Sequence, residues 1–281
     1  LVLTIGTWQA TTIRAEGDVN IESWATGKSD LLVGGLLLGA GVSMSTVSST
    51  AYVAGGADIV AGGTLRVEAL GDNAAEYAVN VTSLKSIPTF SGGYAAAKTT
   101  VDAHVDRYAI VSSHDLSVLA DTVNDVQAEV APLELVDSQS SGMAVTVSAL
   151  DSDTTAFVDA VVTLAGDLDV VATTSTENEN AAAAEPSSAT GGILGAGFGF
   201  VKDKISSKKN PAQSGAEKFE FSAGVAVTLS DNDSTAYIGS NAVVRAGGDV
   251  TVEATVVDNL RISATSTAED AQVGISVSVS V

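Results

Sequence analysis

The chain lacks cysteine altogether and is poor in aromatic residues, which make up 5% of its 281 residues. The absence of cysteine excludes disulfide bonds, thiolate metal sites and cysteine nucleophiles. The scarcity of large rings disfavours a roomy pocket with aromatic walls. Val, Ala, Ser, Thr and Gly dominate instead, and they favour a narrow core between closely spaced strands.

Basic residues are also scarce, because 13 Lys and Arg stand against 34 Asp and Glu and leave a net charge of −21. Binding to phosphates requires clustered Lys and Arg, so a nucleic-acid partner is disfavoured. Long apolar runs are missing as well. The longest, Leu31–Val42, contains four glycines and is shorter than the roughly 20 residues of a membrane-spanning helix. We interpret it as a buried turn and expect no membrane insertion.

What the chain does contain is a repeat. A glycine followed by alternating apolar residues recurs at intervals of 52, 49, 82 and 50 residues. A period near 50 is typical of an array in which each unit buries its apolar face against its neighbours. We therefore predict one continuous solenoid over residues 1–281. The sequence opens and closes inside a repeat, so we expect it to be a segment of a longer protein. The repeats start near Gly41, Gly93, Gly142, Gly224 and Gly274.

Alternation of apolar and small residues within each repeat predicts β-strands. Val225, Val227 and Leu229 lie on one face of such a strand, and residues 273–281 follow the same pattern. Period two in Val- and Thr-rich runs indicates a strand with one face buried. Four or five strands per repeat predict coils of about 20–25 residues, stacked about 4.8 Å apart in an all-β parallel β-helix. The Ala-Gly-Gly-Asp pieces between runs are predicted turns, in which Gly supplies positive φ and Asp bonds its own backbone.

The 82-residue interval contains an extra segment. Its run of alanines, its glycines and its lysines predict a loop insertion at residues 177–215 that leaves the coil, with a smaller loop at Ser83–Gly93. A flexible surface loop is the simpler interpretation. The alternative is a lateral contact in which Phe198 and Phe200 anchor beside basic residues, since insertions in solenoids map to one face.

Two pairs of aspartates precede the aromatic position of the repeat, and the two pairs align with each other. Carboxylates two residues apart can share a calcium ion, so calcium is the one cofactor that the sequence suggests. The glycine and the distal glutamate of an EF-hand loop are absent. Asx turns, in which the side chain bonds nearby backbone, are the simpler explanation. The candidate metal ligands are Asp151, Asp153, Asp231 and Asp233.

Tyr52, Phe157 and Tyr237 occupy one position of the repeat, and His104 takes their place in the remaining copy. We predict an aromatic stack along the axis, with His104 filling a core or rim position. A sugar-binding platform is the alternative for these rings.

Catalytic residues are not predicted. His114 stands between Ser113 and Asp115, but neighbours along a strand point to opposite faces and form no triad. The sequence also lacks a nucleophile elbow and a P-loop. A polysaccharide-acting β-helix enzyme is therefore the least favoured function.

The segment Thr235–Ile238, followed by Ala242–Ala254, resembles repeats of very long bacterial surface and secreted proteins of the filamentous-haemagglutinin type. The resemblance implies an exported β-helix, right-handed as parallel crossovers nearly always are. It also implies an extracellular or cell-surface location and a non-enzymatic role as a stalk, fibre or adhesive surface. The alternative is a protomer that assembles into a filament, since uncapped coils expose strand edges. Expected partners are other copies of the chain, or cell-surface glycans or proteins.

Overall fold

The computed structural model describes residues 11–83, 89–134, 142–184, 221–266 and 273–280. These residues form fifteen strands, and every strand pair is parallel. The fold is a parallel β-helix, which confirms the predicted class. The strands are, in chain order, β1 Thr12–Ala15, β2 Val19–Leu36, β3 Leu38–Val53, β4 Asp58–Ala61, β5 Thr64–Ser83, β6 Thr89–Val105, β7 Ile110–Ser113, β8 Asp115–Glu134, β9 Gly142–Val158, β10 Val161–Leu164, β11 Leu168–Ala183, β12 Phe221–Ile238, β13 Val243–Arg245, β14 Val250–Thr265 and β15 Val273–Ser280.

The strands form three sheets of five. Sheet I has the order β1-β4-β7-β10-β13, sheet II has β2-β5-β8-β11-β14, and sheet III has β3-β6-β9-β12-β15. Each coil takes one strand from each sheet in turn, so the five coils stack in chain order. Sheets II and III consist mainly of long strands that face each other, and the short strands of sheet I close one end. We call the opposite end, where sheet II leads into sheet III, the arch end.

The predicted coil length of about 20–25 residues is wrong. Equivalent positions in successive coils lie 46, 51, 52 and 82 residues apart, so one repeat makes one coil. The error arose because single long strands were counted as two short ones. Gly71 and Asp72, for example, resemble a turn but lie inside the 20-residue strand β5. The predicted right-handed winding stays a prediction.

The arch end holds the connections of variable length. In the first coil a single residue, Leu37, links β2 to β3 with φ 67°. The predicted insertion at 177–215 overlaps β11, which continues to Ala183, and residues 185–220 lie outside the described residues. The predicted loop Ser83–Gly93 is likewise shorter, because β6 starts at Thr89.

Two apolar clusters fill the interior. One lies beside sheet I and is built from Val, Ala, Leu and Ile of all three sheets, such as Ile59, Leu116 and Val158. The other lies towards the arch end between sheets II and III, around Tyr77 and Val126. These small branched residues match the narrow core that composition predicted. Among the described residues, none form a helix that is long and apolar enough to cross a bilayer.

A line of polar side chains separates the two clusters, and nothing in the hydrophobic pattern predicted it; the line is buried through the second and third coils, half-buried at the fourth and exposed at the fifth. Each member donates a hydrogen bond to the next, at 2.9, 2.6, 2.5, 2.7 and 2.8 Å, and the line passes from the second coil to the fifth. Since a buried polar group without a partner is strongly destabilising, this line holds neighbouring coils in one register. We call it the polar seam; its members are Asn73, Thr99, Asn124, Ser152, Asn232 and Asp258.

The turn aspartates bond neighbouring coils rather than their own backbone. Asp18 Oδ1 accepts a hydrogen bond from the amide of Thr64 at 2.8 Å. Asp115 Oδ1 accepts one from the amide of Asp167 at 2.9 Å, and Asp167 Oδ1 accepts one from Asp249 at 2.8 Å. The prediction that these aspartates bond their own backbone is therefore wrong.

Most turn glycines serve close packing and not positive φ. Gly56 is the only glycine with positive φ among the described residues. A Cβ on Gly63 would collide with the carboxylate of Asp18, and a Cβ on Gly166 would collide with that of Asp115. Glycine is needed there because the carboxylate of one coil reaches across the turn of the next.

Candidate functional site on the outer face of sheet III

The alternation of β12 is as predicted, but its apolar residues point outward. Ala226 and Thr228 are fully buried, whereas Leu229 is 45% exposed and Val225 and Val227 are half-buried on the outer face. The interior at this point is small and polar, because Asn180 Nδ2 donates to Thr228 Oγ1 at 3.1 Å. Small residues therefore occupy the inside, and the valines are left outside.

The same arrangement repeats in the neighbouring strands of sheet III. The register aligns Val42 with Tyr94, Tyr94 with Val147, and Val147 with Val227. The result is an outer surface of apolar side chains near the arch end. We call it the apolar patch; it consists of the outward-facing residues of 38–44, 90–96, 143–149 and 223–229.

Several members of the apolar patch are strongly exposed. Leu38 is 68% exposed, Met44 is 63% exposed and Phe90 is 50% exposed. Leu38 belongs to the run Leu31–Val42, which was predicted to be a buried turn. That prediction is wrong for alternate residues of the run, because Leu32 and Val42 are also mainly exposed.

The predicted calcium ligands lie next to the apolar patch, further along the same strands. Asp151 pairs in register with Asp231, and Asp153 with Asp233. All four side chains point outward, and we call them the acidic grid. Lys98 Nζ lies 2.5 Å from Asp151 Oδ2, and this hydrogen bond raises the pKa of the lysine. The structure thus brings the two pairs together, with one lysine already bound to them.

A calcium site in the acidic grid stays a prediction. Within the part of the chain that the structure describes, no three His, Cys, Asp or Glu side chains are grouped closely enough to hold a metal ion. The grid residues project side by side from a flat sheet, whereas calcium takes six to eight oxygens that surround it. Calcium binding would therefore require the four side chains to converge.

The aromatic position forms a continuous stack on the outer face, as predicted. Ring centroids are 5.2 Å apart for Tyr52 and His104, 4.7 Å for His104 and Phe157, and 5.0 Å for Phe157 and Tyr237. The planes deviate from parallel by 18°, 3° and 6°. Both faces of the two middle rings are covered, so only the outer faces of the terminal tyrosines are free. This geometry argues against a sugar platform built from all four rings.

Carboxylates flank the imidazole of the stack. His104 Nδ1 lies 2.9 Å from Asp102 Oδ1, and Nε2 lies 3.5 Å from Asp106 Oδ1. Both acids lie within two residues of the histidine along the chain, and they fix the ring in the plane of its neighbours. His104 thus lies on the rim, as the sequence suggested, and replaces an aromatic ring without interrupting the stack.

The second histidine lies at a turn on the sheet I side. His114 is exposed, and its Nδ1 lies 3.1 Å from Asp115 Oδ2. The amide of Asp167, together with His114, lowers the pKa of the Asp115 carboxyl. Ser113 points into the core, so the three consecutive residues do not converge. The Asp115 carboxylate thus links two coils.

Comparison of the chain with known protein families, curated proteins and solved structures finds no match.

Proposed function

We propose that the chain is a non-enzymatic structural and adhesive segment of a large bacterial extracellular or cell-surface protein. The observation that carries the proposal is the coil-to-coil register. Backbone ladders, turn aspartates, the polar seam and the aromatic stack all join one coil to the next along a single axis. Such redundancy supports a role in which the scaffold resists deformation while its outer faces make contacts.

The proportions of the coils favour the adhesive half of this role. Five coils spaced about 4.8 Å apart give a stack only about 24 Å thick. Strands of 16–20 residues in sheets II and III are about 53–66 Å long at about 3.3 Å per residue. The segment is thus broad rather than long, and it presents two wide outer faces. A stalk built in this way would gain little reach per residue, whereas a contact surface gains area.

Adhesion under flow tests the role. Beads coated with the folded chain are expected to stay on glycan-coated, protein-coated or cell-covered surfaces at higher shear than beads coated with an equally acidic control protein. Free chain in solution should compete them off. Equal detachment of both kinds of bead on every surface would contradict an adhesive role. A reducing-sugar assay on acidic glycans tests the enzymatic alternative in the same samples.

Force spectroscopy tests the structural part of the proposed role. Pulling on the two termini should release one coil at a time, because each coil contacts only its neighbours. Steps of about 160–180 Å are expected for coils near 50 residues, and one step of about 280 Å for the 82-residue interval. A single all-or-none rupture would contradict independent coils. Concentration-dependent light scattering would instead support the filament alternative.

A further inference from the structure

The outer face of sheet III is divided along the strands into an apolar region and a charged region. The apolar patch extends about 20 Å along the strands and about 14 Å across them, on the order of 300 Å². Apolar patches of this size on soluble proteins are often functional. The side chains that form it belong to well-paired strands, so the patch is a fixed surface and not a loop.

The charged region begins one outward position after the apolar patch, about 7 Å further along β6, β9 and β12, whereas β3 continues there with Thr46, Ser48 and Thr50. It contains the acidic grid and Asp102, and Lys98 is the only basic side chain in these three outward rows of β3, β6, β9 and β12. Five carboxylates and one ammonium leave four negative charges. A ligand that covers the apolar patch and continues along the strands therefore meets strong negative charge.

We propose that this face binds a cationic amphipathic polypeptide segment, in which apolar side chains are followed by Lys or Arg. Its apolar residues cover the patch, which includes the strongly exposed Val42 and Met44, and its basic residues pair with the acidic grid. The proposal rests on the adhesive role argued above and names the contact face and the chemistry of its partner. Such a segment has apolar residues on one face and basic residues about 7–14 Å further along it. It can therefore contact the apolar region and the charged region at the same time.

Charge selects this occupant over the other candidates. A second copy of the chain carries the same net charge of −21, so mutual repulsion opposes its docking. An anionic membrane surface is repelled for the same reason. A cationic segment is attracted, and its long-range attraction also speeds association.

The test uses a fluorescent peptide in which Thr alternates first with Val and then with Lys, so that one face is apolar and then basic. Anisotropy titration with the full chain is expected to give saturable binding that weakens at least tenfold between 50 and 500 mM salt, since screening removes the ionic part. Two peptide controls are used: one replaces Lys by Glu, and the other mixes the Val and Lys positions. Both should bind at least tenfold more weakly.

Variants of the chain locate the binding face. The double variant Val42→Ser with Met44→Ser, and separately Asp231→Lys with Asp233→Lys, should each weaken binding at least tenfold. These side chains are exposed, so the fold should persist, which circular dichroism checks. The matched control is Trp24→Ser, which removes an exposed ring from the outer face of sheet II and should leave affinity unchanged.

Three results would overturn the proposal: binding of the Glu peptide as tight as that of the Lys peptide, unchanged peptide binding by both double variants, or sedimentation showing that the chain dimerises through Val42 and Met44. If the chain does not bind the peptide but its beads still adhere, the proposed contact face is rejected and the adhesive role stands. If the chain neither binds the peptide nor holds beads on any surface, the adhesive role itself is rejected.

Discussion

Replacing Asn124 by leucine tests whether the polar seam stabilises the stack. Asn124 is 1% exposed, accepts a hydrogen bond from Thr99 at 2.6 Å and donates one to Ser152 at 2.5 Å. The substitution leaves the Thr99 hydroxyl without an acceptor and the Ser152 oxygen without this donor. Each loss costs about 1–3 kcal/mol, and the gain from burying leucine offsets about 1–2 kcal/mol. We expect a net destabilisation of about 1–4 kcal/mol.

Urea unfolding followed by circular dichroism measures this effect. The triple variant Thr99→Val, Asn124→Leu, Ser152→Ala removes the neighbours together and should regain at least half of the loss. Asn73 keeps its bond to the Lys98 carbonyl, and the Asn232 oxygen that loses the Ser152 donor belongs to a half-buried side chain. The matched control is Val123→Thr in the same strand, which points outward and should change stability by less than about 0.5 kcal/mol. A single Asn124→Leu variant as stable as the parent, or a triple variant less stable than the single one, would refute the reasoning.

Four further outcomes are expected. Gly166→Ala should lower the melting temperature, because its Cβ would collide with the Asp115 carboxylate, whereas Gly17→Ala, with open space around it, should not; equal effects would contradict the packing argument. Asp115→Asn should destabilise the chain at neutral pH. Because the pKa of the native carboxyl is lowered, the carboxylate stabilises the fold above its unfolded-state pKa. It loses this effect as pH falls through its folded-state pKa, so melting curves of the variant and the parent should converge as the solution is acidified. His104→Ala, which removes two ring contacts, should cost about 1–3 kcal/mol in urea unfolding and His104→Phe much less; similar losses for both would mean that stacking contributes nothing. If the acidic grid binds calcium, the melting temperature rises in millimolar calcium relative to chelator and the rise disappears in Asp231→Asn with Asp233→Asn; identical curves for the parent would end that hypothesis.

The fold class could be predicted from the sequence because the repeat and the period-two alternation are both visible in it. The stacking register was visible as well, since Tyr52, Phe157 and Tyr237 share one repeat position and lie in one column. The coil length could not be predicted in this way. Gly71 and Asn73 resemble turn residues, yet Gly71 makes room for Val101 and Asn73 bonds Thr99 inside the core.

The apolar patch could not be predicted, because neighbouring residues in these strands differ little in size and polarity. Val225 and Ala226 are both apolar, so alternation alone does not say which one faces inward. The choice depends on the opposite sheet, where Asn180 needs Ser148 and Thr228 as partners. Pairing between residues 47 or 48 positions apart is a tertiary constraint that a local pattern does not contain.

The polar seam has one direction. Every donor lies on the side of the second coil and every acceptor on the side of the fifth, and the last acceptor is the carboxylate of Asp258. The bond dipoles therefore add along the axis, so the two faces of the stack are electrically unlike. A further coil stacked on the fifth coil extends this polarised line only if it presents a hydrogen-bond donor to the Asp258 carboxylate, whereas an acceptor there would place like partial charges together. The seam thus gives the stack a direction along its axis.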